Sequence, residues 1–228
     1  LIIMIGGVTV NVILAIVIYA GMMMYYGEQY LPAENLKYGV AVDSTARAVG
    51  LKDGDKILAV DGKPIKRFSE IPIEILLSDQ GVVEIERNGR LKEIQITEEN
   101  KRDLIKAQSG LVSPRVPYVV GGFTDSSVAK TAGLAEGDSI YGVDGVTVAF
   151  FDQYIGMIPG YAGQKMTLNY VRDGESMEAE MIVPETGRIG VYAMPFTHFY
   201  DLETKKYGFF EAIPAGIKKS YKVLGDYI

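Results

Sequence analysis

The chain opens on an apolar run with no charge: from Leu1 to Gly27 there is no Asp, Glu, Lys or Arg, and Glu28 is the first. At ~1.5 Å rise per residue, a helix of about 20 apolar residues crosses a hydrocarbon core. The run therefore predicts a transmembrane helix over 1–27. Tyr19, Tyr25 and Tyr26 lie toward its far end, where amphipathic rings favour the headgroup zone. A buried core helix is the plainer alternative, but such a helix rarely lacks charge over so long a run. No basic n-region or cleavage site marks a signal peptide. With no Met or basic flank before Leu1, the chain reads as an internal piece of a longer one. Gly6 and Gly7, then Asn11 one turn after Gly7, make a small, polar face. Gly7 and Asn11 are its candidates for packing against another membrane helix, since small residues allow close approach and the amide needs a partner. Fraying of the helix end is the alternative.

Beyond Glu28 the pattern changes to short alternating segments, and it repeats. Residues 44–65 read STARAVGLKDGDKILAVDGKPI and residues 127–148 read SVAKTAGLAEGDSIYGVDGVTV. Gly50, Leu51, Gly54, Asp55, Ile57, Val60, Asp61 and Gly62 recur as Gly133, Leu134, Gly137, Asp138, Ile140, Val143, Asp144 and Gly145. Ser44 and Ser127 are positioned to cap short helices that end at Gly50 and Gly133. Strands are expected at Lys56–Val60 and Ser139–Val143, each ending in an Asp-Gly turn. Helices follow around Ser69–Leu77 and Phe151–Ile158. Hairpins then turn at Asn88-Gly89 and Asp173-Gly174, between strands at 82–87 and 91–97 and at 166–172 and 176–183. A unit of roughly 80 residues with its own helix and strands is a domain, since a solenoid stacks shorter units. The expected division is a membrane helix over 1–27, domains over 28–100 and 106–193 joined by a charged helix over 98–108, and a return segment over 194–228.

Composition narrows the chemistry. An apolar content of 48% supports real cores, and a net charge of -6 argues against a nucleic-acid partner, which calls for a basic face. Cysteine is absent, which excludes disulfides, thiolate zinc sites and a Cys nucleophile. The single histidine, His198, has no sequence neighbour suggesting a zinc site or a catalytic triad and reads as a surface or interface residue. No catalytic residue and no metal ligand is therefore expected among these residues.

The motif small-x-x-x-x-Gly-Leu-x-x-Gly-Asp-x-Ile-x-x-Val-Asp-Gly, at Ala46–Gly62 and Ala129–Gly145, resembles the signature of bacterial PDZ domains. That resemblance implies an α+β, mainly β fold: two tandem small β-barrels with capping helices in the permuted bacterial strand order, after the transmembrane helix. PDZ domains bind an extended peptide by strand addition and hold its C-terminal carboxylate in a backbone loop. For the second domain, Ser109, Gly110, Leu111 and Val112 stand where that loop is expected, with Tyr154 on the facing helix; a plain interdomain turn is the alternative. A peptide ending in an apolar residue is then expected to perturb Gly110–Val112. In the first domain the corresponding stretch, about Tyr30–Lys37, has no clear Gly-apolar loop, so its competence is doubtful.

The whole arrangement resembles the site-2 protease family in its RseP-like branch. Gly7-Val8-Thr9-Val10-Asn11 matches that family's Gly-x-x-x-Asn pattern, with Val8 where Pro is common. The segment from Tyr207 resembles an amphipathic lead-in to a further membrane helix, with Pro214 suited to a helix start and Lys218, Lys219 and Lys222 at a membrane surface; a solvated terminal helix is the alternative. The resemblance implies an intramembrane zinc metalloprotease of the bacterial inner membrane whose periplasmic PDZ pair screens membrane-anchored substrates, such as anti-sigma factors, or their C-terminal ends. Membrane lipid and the rest of the protease core are the other implied partners. Zinc is implied for the full-length protein only, because HExxH and the second metal-ligand motif are both missing here. A membrane-anchored PDZ scaffold without enzymatic activity remains open. A serine protease bearing PDZ domains is disfavoured by the lone histidine and the lack of room for a catalytic domain.

Overall fold

The computed structural model describes the backbone of residues 2–107 and 110–226, and the side chains of 9–107 and 110–220. These residues form two compact units, Leu1–Tyr30 with Leu202–Ile228 and Leu31–Asp201.

The chain enters through helix α1 (Ile2–Tyr25) and strand β1 (Glu28–Tyr30). A first half follows: β2 (Val40–Val42), α2 (Ser44–Ala48), β3 (Lys56–Val60), β4 (Lys63–Pro64), α3 (Ile71–Leu77), β5 (Val82–Arg87), β6 (Arg90–Gln95), α4 (Glu98–Ala107) and β7 (Val112–Pro114). A second half repeats it: β8 (Val120–Phe123), α5 (Val128–Thr131), β9 (Ser139–Val143), β10 (Val146–Thr147), α6 (Phe151–Met157), β11 (Lys165–Arg172), β12 (Glu175–Ile182) and β13 (Val191–Ala193). Strand β14 (Glu203–Lys205) and helix α7 (Phe209–Asp226) complete the chain.

Each half holds a four-stranded antiparallel sheet, in the order β4-β3-β5-β6 and β10-β9-β11-β12, and a separate two-stranded sheet, β2-β7 and β8-β13. The alternation read in the sequence sets the buried faces: Val83 and Ile85 on β5, and Met166, Leu168 and Tyr170 on β11, point into the two cores. The hairpins turn at left-handed Asn88 and Asp173, as their Asn-Gly and Asp-Gly pairs require. The expected barrels do not close among the described residues. β4 and β10 are two residues long, and the two-stranded sheets meet the four-stranded ones only through single bonds and bridges such as Val119–Ser139, not through a continuous ladder.

The Gly-Asp step of the repeat has a role that spacing alone did not reveal. Asp55 and Asp138 are buried. Each accepts from a backbone N–H of its own turn, Lys52 and Ala135 at 2.8 Å. Each also takes two bonds of 2.7 Å from an arginine at the last position of the distant hairpin strand, Arg87 and Arg172. The same guanidinium groups donate to Gly50 O and Gly133 O at 2.9 Å. The motif thus locks its turn to the hairpin through a charge-assisted, bidentate pair. The pairing stabilises the protonated guanidinium groups, raising both arginines further.

Two local expectations change. Ser127 caps α5 by accepting from Lys130 N, but α2 is capped by Asp43, whose carboxylate accepts from Ala46 N at 2.7 Å; Ser44 is already inside that helix. Pro214 falls inside α7 rather than at its start, since the helix begins at Phe209, and there it leaves the Phe210 carbonyl without its helical donor.

Arg115 knits the halves together. Its N–H donates to Gly39 O at 3.1 Å, and its guanidinium grips Asp152 through two bonds of 3.0 Å while lying 3.9 Å from the Phe150 ring centroid. Tyr200 donates its hydroxyl to Arg115 O.

In the other unit, β1 pairs with β14 and α7 lies close against α1. A Cβ on Gly216 would stand 2.8 Å from Ala20 N, so the approach requires glycine there. Ala212, Ala20 and Met23 are buried at this contact. Asn11 is exposed, and the side-chain surroundings of Gly7 lie outside the described residues. The helix expected over 1–27 is present. Among the described residues, however, no helix is long and apolar enough to cross a membrane.

Candidate functional site

A groove of about 950 Å³ runs along the second half, with Phe151, Tyr154, Ile155 and Ile158 on the α6 side and Arg188–Tyr192 facing them. Its floor is the core: Tyr154 packs its ring 4.6 Å from that of Tyr118. Burial, foremost, holds both phenols protonated well above their ordinary range. They present a neutral, apolar wall.

The facing strand, β13, is hydrogen-bonded to β8 on one side only. Thr124 N donates to Gly190 O at 2.9 Å, flanking the Val191–Phe123 pair. In an antiparallel ladder this makes Val191 a non-hydrogen-bonded position, whose own N–H and C=O point to the opposite, groove-side edge. That edge is a template for an added strand. At its start, Gly190 adopts φ +76°, and a Cβ there would stand 2.5 Å from Thr124 Oγ1 and 2.7 Å from Ser127 Cα. Only glycine fits so close a turn. Ile189 is anchored through its carbonyl, which accepts from Ser127 Oγ at 3.0 Å and from Ala129 N at 3.2 Å. Arg188, exposed at the same end, makes no ion pair among the described residues. The groove therefore has an apolar wall, a free strand edge and a cation beside a glycine turn.

The sequence-predicted residues divide between the halves. Tyr154 lines this groove. Gly110, Leu111 and Val112 do not: β7 pairs with β2, Val42 against Val112, and so joins the first half. Ser109 lies outside the described residues. The second half's equivalents are Arg188, Ile189, Gly190 and Val191, which follow its hairpin as Gly110–Val112 follow the first. A Gly-apolar step after each hairpin is visible in the sequence and is the signal that locates them. Around the first loop lies a shallow hollow of about 290 Å³, lined by Ala41, Val42, Asp43 and Gly110–Ser113, with no residue of α3.

The residues present do not fit a zinc site. The chain has no cysteine and one histidine, and among the described residues no three His, Cys, Asp or Glu side chains cluster to hold a metal ion.

No family model matches the chain. It is similar to a protein named "Putative zinc metalloprotease" from Neisseria meningitidis, 27% identical over 208 residues that cover 83% of this chain and 46% of that one. A protein of the same description from Treponema pallidum is 27% identical over 228 residues, covering 96% of this chain and 50% of its own. One from Rickettsia conorii is 36% identical over 73 residues, or 32% of this chain. The chain spans about half the length of the first two relatives. A solved PDZ domain of an SdrC-like protein from Listeria monocytogenes aligns with 34% of this chain and 85% of its own at 22% identity, with a TM-score of 0.29.

Proposed function

Because this chain is related over most of its length to proteins named as zinc metalloproteases, we propose that it is the substrate-screening part of an RseP-like intramembrane zinc protease. Its two PDZ-like domains stand on the periplasmic side of a bacterial inner membrane. The uncharged run Leu1–Gly27 and the close α1–α7 pair support placement of the other unit at the membrane. Zinc, supplied by other residues of such a protein, would polarise the scissile carbonyl and activate water. This chain's share is selection, and no hydrolytic step is assigned to its residues.

The groove of the second half carries the reading. An extended segment with a free C-terminus adds beside Val191–Ala193, seats an apolar side chain against Tyr154, Ile155 and Ile158, and lays its carboxylate by Arg188 and the Gly190 turn. The first domain, expected over 28–100, takes in β7 as its closing strand, and the second starts after it. The substrates are membrane-anchored proteins, such as anti-sigma factors, already shortened enough for their new C-termini to reach the groove.

Titrating the isotopically labelled chain with a peptide ending in leucine tests the site. The amides of Ile189–Tyr192 are expected to shift, and amidating the peptide's C-terminus to weaken binding by about tenfold, the loss of roughly one charge-assisted bond. Shifts confined to other regions, or none at millimolar peptide, would reject the groove. In the whole protease, deleting residues 31–201 is expected to admit intact ectodomains as substrates; unchanged rejection of them would remove the screening role.

A further inference from the structure

The two halves differ most at the point that, in the second, opens onto the groove. The donors of the first loop are taken up by the chain itself. Leu111 N donates to the Asp43 carboxylate at 3.1 Å, and Val112 N donates to Gly110 O at 2.6 Å. Val112 is the counterpart of Val191, and its N–H would otherwise point to the free edge of β7. Among the described residues no such bond engages the N–H of Gly190 or of Val191 in the second half. Where Arg188 offers a free cation, the first loop has a carboxylate of its own.

The connection into each loop also differs. In the second half, β12 runs into Val191 through a short turn whose Pro184, Thr186 and Gly187 line the groove. In the first, the same position holds α4, which packs against α2 and α3. Lys101 and Leu104, one turn apart on one face of α4, are buried. Lys101 Nζ donates to Ser78 O, at the C-terminal end of α3, and to Glu98 Oε1 at 2.5 Å. Ile71 and Ile75 on α3, at the repeat positions of Tyr154 and Ile158, have no exposed surface, against 4% and 6% for those two. A lysine head does not leave water without compensation, and here the α3 carbonyl and Glu98 supply it.

We propose that the first half is a self-closed peptide site, in which α4 lies over the α3 wall as an internal strap and Asp43 holds the loop donor that a ligand's carboxylate would take. This closure deepens the peptide-groove reading, and it leaves the second half as the single open receptor until α4 is displaced.

The absence of native cysteine makes single-thiol probes unambiguous. In an Ile75→Cys chain, adding Lys101→Ala and Leu104→Ala is expected to raise the maleimide rate about tenfold or more, because the strap no longer holds. Ile155→Cys, half exposed on the groove wall, is the reference, and the same two changes should leave its rate within about threefold. An Ile75→Cys rate left unmoved by them, in a chain whose second-half amide spectrum is unchanged, overturns the proposal. In the wild-type chain, a peptide that shifts Val191 should leave Val112 unmoved, and an equal shift at Val112 also overturns it. Should no peptide move either amide, the groove reading fails, while the thiol rates still decide the closure.

Discussion

The two halves share a repeat, a sheet order and an Arg–Asp clamp, yet differ at a single loop and the connection that feeds it. In the second half a glycine takes the left-handed turn, the donors beside it are free and the connection is short. In the first, Leu111 takes the same turn at φ +60°, Asp43 and Gly110 engage the donors, and a helix stands in the connection. The motif that identifies the domain thus builds the frame and says nothing about whether the site is open. Openness is set by groups outside the motif.

The largest effect should come from making the second half resemble the first. Gly190→Leu adds a side chain where even a Cβ meets Ser127 and Thr124. The left-handed strain of ~1–2 kcal/mol and overpacking of ~1–3 kcal/mol predict a loss of about 2–5 kcal/mol in denaturant unfolding, together with loss of peptide shifts. A tolerated Gly190→Leu that still binds peptide would erase the comparison.

Next come the clamps. Arg87→Ala strands the buried Asp55 carboxylate and should cost about 3 kcal/mol in the first half. Arg172→Ala should cost less, because the Arg172 side chain is 31% exposed against 17% for Arg87 and water can replace more of it. Equal losses would mean that the two frames do not differ in solvent access.

A smaller effect is expected at the joint between the halves. Tyr200→Phe removes the hydroxyl that donates to Arg115 O and should lower stability by ~1 kcal/mol. Burial, foremost, pushes the Tyr200 phenol up to about 12. Since the folded state favours the neutral phenol, its contribution is complete below the ordinary value of ~10 and is lost as pH rises from there through about 12. Alkaline unfolding of wild type and Tyr200→Phe should therefore converge over that window, and curves that stay parallel would assign the bond no role.

The smallest net difference comes from the reverse exchange. Leu111→Gly relieves left-handed strain of ~1–2 kcal/mol, which offsets only part of the loss of a buried side chain and the freer unfolded chain, so the net loss should be about 1–2 kcal/mol smaller than for a Leu→Gly change at an ordinary buried site. A loss as large as at an ordinary buried leucine would show that the left-handed backbone at Leu111 carries no strain.

Much of the frame was legible in the residues. The Asn-Gly and Asp-Gly pairs specified both hairpins because few other residues accept left-handed backbone, and period-two alternation specified the faces of β5 and β11. The α4 helix was visible in its charged, proline-free run. The site was legible only in part. Tyr154 lines the groove from a helix at a repeat position. Gly110–Val112 fall to the first half, and a strand of three residues carries no sign of which half it will pair with. The Arg87 and Arg172 clamps were hidden for a similar reason: their partners lie more than thirty positions away, at 32 and 34 residues.

By itself, then, the sequence determined the repeat, the turns and the order of elements, since these depend on local backbone preference and pattern. The tertiary structure alone decided that β7 joins β2, that Asp43 reaches Leu111 N and that α4 covers α3 while the second groove stays open. Those outcomes depend on which distant groups meet and satisfy one another's hydrogen bonds, and hydrogen-bond satisfaction on burial is a property of the folded neighbourhood rather than of any segment.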